Sequence, residues 1–184
     1  FSHLTTDVKL KNSVILSMRR LISMALMLTF VAAMAFAQGA AKKVYDERID
    51  PMAQIDKGLA KAKAEKKFVV CQLGGNWCPW CLRFADFVET NAEVNKLVGD
   101  NFVYLHVNYN PRKSSGPESV EKAAQLMKRL GNPQRFGFPV FVVLDEKGNV
   151  LHIQDSSFLE KDKGYDEAKT LRFFKNWTPK AVRQ

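Results

Sequence analysis

Cys78 and Cys81 stand two residues apart in the stretch "GGNWCPWCLRF" (74–84), directly behind Trp77. Cysteines at that spacing can form a thiol–disulfide couple, half of a zinc site or a haem attachment point. Haem attachment needs histidine immediately after the second cysteine, and Leu82 stands there. A zinc site needs about four ligands. From residue 38 onward, the chain adds only Cys71, His106 and His152 to the pair. Both histidines fall in strand-like segments, where a satisfied, half-buried ring is the ordinary case, so no metal is expected. A purely structural disulfide stays open, although closing so short a loop removes little chain entropy.

The surroundings favour redox chemistry. Cys78 falls where an apolar strand-like run ends and a helix-like run begins, and Pro79 suits a first helical turn. A sulfur there lies among free backbone N–H groups at the positive end of the helix dipole. Such positions hold cysteine pKa values down to about 3.5–7.5. Cys81 follows nearly one turn later and can reach Cys78 while staying more buried. Cys78 then reads as the attacking thiol and Cys81 as the one that closes the internal bond and releases the partner.

Several elements must position this pair. Asp50 and Pro51 mark a helix start, with Met52, Ile55, Leu59 and Ala62 on one face. "KFVVCQL" (67–73) reads as a buried strand, and Cys81, Phe84, Ala85 and Val88 recur at helical spacing after it. Thr90 and Glu93 have capping-box spacing and suggest that the helix restarts there. "FVYLHVN" (102–108) is a second strand. A polar loop follows, then a helix carrying Val120, Ala123, Ala124, Met127 and Leu130 that stops at Gly131. "PVFVVLD" (139–145) and "VLHIQ" (150–154) read as a hairpin. A last helix after Asp166 turns Ala168, Leu171 and Phe174 inward. Strands separated by helices imply parallel pairing, and the hairpin adds antiparallel partners. The expected fold class is α/β, a mixed central β-sheet flanked by helices on both faces.

The compartment decides whether such a pair persists as a disulfide. Residues 18–37 combine Met18, two positive charges at Arg19 and Arg20, an apolar run from Leu21, and Ala35-Phe36-Ala37. That is the layout of a signal peptide cleaved after Ala37. The apolar run also reaches the short end of a spanning helix, which leaves an uncleaved membrane tether as the alternative. Residues 1–17 read as upstream sequence outside the natural protein. We divide the rest into a linker (38–46), one domain (47–178) and a tail (179–184). Four basic residues and one acidic residue leave with residues 1–37, which lowers the net charge from +9 to +6. The remaining charges are scattered, with no basic stripe interleaved with aromatics, and nucleic acid is not an expected partner. Three cysteines are too few for a disulfide-stapled scaffold.

Trp77-Cys78-Pro79-Trp80-Cys81 after an apolar strand, with "GFPVFVVLD" (137–145) further along, resembles the thioredoxin superfamily. The likeness is greatest to secreted bacterial thioredoxin-like proteins with a Trp-Cys-x-x-Cys centre. The resemblance implies a thioredoxin-like fold and an exported, most simply periplasmic, oxidoreductase that exchanges disulfides with protein substrates. The reductase or isomerase direction is favoured. It implies no cofactor beyond the Cys78–Cys81 disulfide, a membrane protein that resets the redox state, and a monomer. Pro139 would be the family's cis-proline facing the cysteines, with Phe138 offering its backbone to a substrate. Trp77, Pro79 and Trp80 would support the active site, Trp77 also gripping substrate. Read from the residues alone, Pro139 equally opens a strand in the trans form, and Phe138 and Trp77 are ordinary packing.

Two residues depart from the family pattern. Gln72 stands where many thioredoxins carry a buried acid, and Gly74-Gly75 replace a bulkier pair, which suggests a looser approach loop or a closer approach of a substrate backbone. Cys71 reads as an inert core thiol, with an intermolecular or regulatory thiol as the alternative, and Arg83 as either a thiolate support or a solvated helix-face residue. The alternative function is a non-catalytic peptide- or partner-binding module in which the cysteines merely close a bond.

Overall fold

The Asp50 carboxylate accepts hydrogen bonds from the backbone N–H groups of Met52 and Ala53 at 3.0 and 3.1 Å, and Pro51 fills the first turn. These residues start helix α1 (Pro51–Glu65) as their types dictate. The computed structural model describes residues 43–112 and 115–183. The expected upstream segment (1–17) and leader (18–37) lie outside the described residues, as does 38–42 of the linker. After α1 come β1 (Phe68–Gly74), α2 (Pro79–Thr90), α3 (Ala92–Asn101), β2 (Phe102–Asn108) and α4 (Pro117–Arg129). A 3-10 turn (Pro133–Phe136) leads to β3 (Val140–Leu144) and β4 (Val150–Asp155). A second 3-10 turn (Ser156–Leu159), a small ribbon of β5 (Glu160–Lys161) and β6 (Gly164–Tyr165), α5 (Glu167–Asn176) and α6 (Pro179–Val182) complete the chain.

The main sheet has strand order β2-β1-β3-β4. β1 pairs parallel with β2, in register Phe68 to Phe102 through Gly74 to Asn108, and antiparallel with β3. β3 and β4 form the expected antiparallel hairpin. Parallel pairing holds for β1 and β2. β2 and β3, although a helix separates them, lie on opposite sides of β1. The reason is β1 itself, in which all seven residues are buried. Such a strand must have both edges paired and both faces covered.

Side chains alternate across the sheet. Val69, Cys71 and Leu73 point to one face and pack with Ile55 and Ala62 of α1 and Leu126, Met127 and Leu130 at α4. Phe68 and Val70 point to the other and pack with Phe84 and Val88 of α2, Val94 and Val98 of α3, and Phe173 and Phe174 of α5. The chain therefore has the thioredoxin-like α/β fold, a mixed sheet with helices on both faces.

Three local expectations change. α2 runs through Thr90, and Asn91 caps α3 by accepting from the Val94 N–H at 3.0 Å, so no Thr90–Glu93 box forms. Ala124 and Ala168 are exposed, while Leu126, Thr170 and Phe173 are buried. Both helices rotate to bury bulkier side chains, because burial scales with apolar area and alanine offers little. Packing also continues past 47–178. Tyr45 is fully buried. After it, Thr178 caps α6 through the Ala181 N–H, and Arg183 pairs with Glu146 at 2.9 Å. Among the described residues no helix is long and apolar enough to cross a membrane.

Candidate active site

Cys78 is the N-cap of α2. Its backbone is extended (φ −106°, ψ 104°), and its Sγ accepts from the Cys81 N–H at 3.2 Å. A sulfur thus occupies the place where serine or aspartate usually satisfies an orphan N–H. Cys78 and Cys81 are joined as a disulfide. Cys81 is fully buried, whereas Cys78 keeps 6% of its surface exposed.

Across from the pair, the Phe138–Pro139 peptide bond is cis. The Phe138 carbonyl oxygen lies 3.6 Å from the Cys78 sulfur, and Pro139 is buried. Trp77 is exposed, and its indole N–H donates to the Tyr109 carbonyl at 3.3 Å. Its ring meets Phe138 edge-on at 5.5 Å, and Tyr109 stacks on the opposite side of this cluster, 5.0 Å from Phe138. Trp77, Phe138 and Tyr109 form an aromatic shelf beside the sulfur. Pro79 is exposed at the start of α2. Trp80 is half-buried, with its carbonyl accepting from the Tyr165 hydroxyl at 3.2 Å. Arg83 lies 4.5 Å above the Trp80 ring, so its partner in this structure is an aromatic face.

Beneath the disulfide, Gln72 is fully buried and makes three side-chain hydrogen bonds. Its Nε2 donates to the Cys81 carbonyl at 2.8 Å and to the Tyr45 hydroxyl at 2.7 Å. Its Oε1 accepts from the Tyr104 hydroxyl at 2.7 Å. Burial pushes the Tyr45 and Tyr104 hydroxyls well above the ordinary tyrosine range, so both stay protonated. The looser loop expected from Gly74-Gly75 is not found. Both glycines are buried. A Cβ at Gly74 would run into the Cys81 sulfur, and one at Gly75 into the Trp77 indole. These glycines let the motif close tightly on itself.

A family model described as thioredoxin-like matches residues 50–146. The chain belongs to that thioredoxin-like family. It is 28% identical over 78 residues to the disulfide bond reductase DsbH of Chlamydia pneumoniae, a match covering 42% of this chain and 45% of that protein. The chain thus spans less than half the length of this curated relative. Among solved structures, a disulphide isomerase from Xylella fastidiosa Temecula1 aligns with TM-score 0.62 at 23% identity, over 74% of this chain and 98% of that one. A thioredoxin from Thermus thermophilus aligns with TM-score 0.47 at 23% identity, over 66% of this chain and 81% of that one.

Within this thioredoxin-like frame, the structure gathers Trp77, Cys78, Pro79, Trp80, Cys81, Phe138 and Pro139 at one end of the sheet. Sequence reasoning passed over Tyr45, Asn76, Tyr104, Tyr109 and Tyr165. Asn76 holds Tyr45 in place: its Oδ1 accepts from the Val44 and Tyr45 N–H groups at 3.1 Å, and its Nδ2 donates to the Tyr45 carbonyl at 2.8 Å. Asn76 lies inside the quoted motif, and a polar residue fixed in a tight loop is the one signal that pointed to it. Cys71 is a free, buried thiol whose pKa burial pushes up to about 12. Among the described residues no three metal-ligating side chains come together. His152 instead stacks on Trp177 at 4.4 Å.

Proposed function

We propose that the chain is an exported thiol–disulfide oxidoreductase that acts on protein substrates. Cys78 is its nucleophile and Cys81 its resolving thiol. The observation that carries this reading is the placement of the Cys78 sulfur, which caps α2 and faces the Phe138 carbonyl. In the reduced protein, the helix N-terminus and the Cys81 N–H favour a Cys78 thiolate. That thiolate attacks a substrate disulfide; one substrate sulfur leaves as a thiol, and a mixed disulfide forms. Cys81 then attacks Cys78, closes the internal bond and releases the second substrate thiol. The Phe138 backbone beside Pro139 would pair strand-like with substrate backbone, while the Trp77–Phe138–Tyr109 shelf grips its side chains.

The reductase or isomerase direction draws support from the name of the Chlamydia relative. Export draws support from the leader-like residues 18–37, and the periplasm would be the simplest destination. A membrane redox partner would restore the working state, and a monomer with no cofactor beyond Cys78 and Cys81 suffices for the chemistry. Accelerated insulin precipitation by dithiothreitol in the presence of the protein tests the activity. A rate equal to buffer, with the pair intact, would favour the peptide-binding alternative. Equilibration with a glutathione series tests the direction: a potential near about −270 mV marks a reductant and one near about −120 mV an oxidant.

A further inference from the structure

The orientation of the buried Gln72 amide is fixed by its neighbours. The Cys81 carbonyl can only accept, so the end of the amide facing it must be Nε2, and Oε1 must face the Tyr104 hydroxyl. The same Nε2 also donates to the Tyr45 hydroxyl oxygen. Tyr45 is therefore an acceptor in that bond, and its own O–H proton points elsewhere. Tyr45, Cys78 and Cys81 form one buried cluster. A Cβ built on Gly74 would overlap the Cys81 sulfur and lie 3.1 Å from the Tyr45 hydroxyl oxygen. Sulfur and hydroxyl thus border the same small space, open only because residue 74 has no side chain.

We propose that the Tyr45 hydroxyl donates a hydrogen bond to the Cys81 sulfur during the resolving step and holds it as the attacking thiolate. The inference rests on the exchange mechanism above and names a further participant in it. In that step the Cys81 thiol gives up its proton, and the thiolate attacks Cys78. The Cys78–Cys81 bond forms while the Cys78–substrate bond breaks, and the departing substrate sulfur takes up one proton. Cys81 is oxidised and the substrate sulfur is reduced, so protons and electrons balance without a further reactant. Gln72 has no proton-accepting group for this step, and the buried Tyr45 hydroxyl stays a donor because burial disfavours its ionised form. Among the described residues, the titratable side chains near Tyr45 include His106, whose ring lies edge-on at 5.5 Å, Tyr165, which acts on it electrostatically, and Lys43, Asp46, Glu47 and Arg48, which line a pocket with it. Tyr104 lies on the far side of Gln72.

The test uses the full chain with Tyr45→Phe, which keeps the ring and removes the hydroxyl. A coloured aromatic thiol placed on Cys78 as a mixed disulfide reports its release by Cys81. Release should slow by about tenfold near neutral pH, the scale of a hydrogen bond to a charged group. Its pH profile should move up by about one unit, while the rate of Cys78 attack stays the same. Tyr104→Phe should leave the profile in place. An unmoved profile in Tyr45→Phe, or an equal shift in Tyr104→Phe, overturns the proposal. Titration of Cys81 in the Cys78→Ser background, with and without Tyr45→Phe, reads the same hydrogen bond without any exchange reaction. Cys71, whose pKa burial pushes up to about 12, is replaced by serine in both backgrounds so that only Cys81 titrates. Failure of the wild-type protein to release the thiol at all would overturn the exchange mechanism, whereas an unchanged Cys81 titration would overturn the role of Tyr45 alone.

Discussion

The Gln72 side chain donates a 2.8 Å hydrogen bond to the backbone carbonyl of Cys81. This bond ties the first turn of α2 to the central strand and sets the resolving cysteine against the floor of the site. The amide suits the position because it has both a donor for the Cys81 carbonyl and an acceptor for Tyr104.

Gln72→Glu should therefore make stability depend on pH. An ionised glutamate would aim a lone pair at the Cys81 carbonyl, whereas a protonated one can donate to it, so the folded state raises the carboxyl pKa above its unfolded value of about 4.3. Below that value the variant should be close to wild type. As pH rises above it, stability should fall by about 1–3 kcal/mol, the cost of an unsatisfied buried group, and level off above the raised folded pKa. Urea unfolding midpoints between acidic and neutral pH measure this, and a flat difference across the range would contradict it.

Where chemistry and periodicity coincide, the sequence is readable. The strand at 67–73, the Pro79 helix start, the asymmetric cysteines and the α/β layering all follow from local residue types. The Gln72 network is not legible in the same way. It joins Tyr45, Gln72, Cys81 and Tyr104 from four separate elements, and only tertiary packing brings such distant polar groups together. Tyr45 in particular lies in a polar segment with no periodicity, and it is anchored by a single asparagine side chain. The position of β3 beside β1 is likewise a property of the whole sheet.

The two sulfurs should separate cleanly in trapping experiments. Cys81→Ser leaves the attack intact and removes the escape, so mixed disulfides should accumulate on non-reducing gels of the exported fraction. Cys78→Ser should trap little, because Cys81 is fully buried. Cys71→Ser should match wild type, since that thiol is buried and holds its proton. Equal trapping by the first two variants would reverse the assigned roles.

In the reduced protein, Cys78 should titrate below the free cysteine value of about 8.5, with Cys81 above it. The cause is the helix N-terminus together with the Cys81 N–H, 3.2 Å from the sulfur. A pKa lowered by folding means that the reduced fold gains stability which is fully present above about 8.5 and is lost as pH falls through the lowered value. Far-ultraviolet thiolate absorbance against pH measures the titration, and one shared transition near about 8.5 would contradict it.

Two glycines should respond to the same substitution with opposite signs. At Gly74 a methyl group would strike the Cys81 sulfur and press on Tyr45. Gly74→Ala should cost about 1–3 kcal/mol, the usual range for overpacking. Because the methyl fills the space between Tyr45 and Cys81, it should also slow the resolving step. Gly99 lies inside α3, where an added Cβ meets nothing within 4 Å. Gly99→Ala should stabilise the protein by about 0.5–1 kcal/mol, through the lower helix propensity of glycine. Thermal and urea unfolding of the two variants measure both effects. A neutral Gly74→Ala would mean that the Cys81 sulfur can shift away from β1, and the packing that seats it beside Tyr45 would then have to be looser than the structure shows.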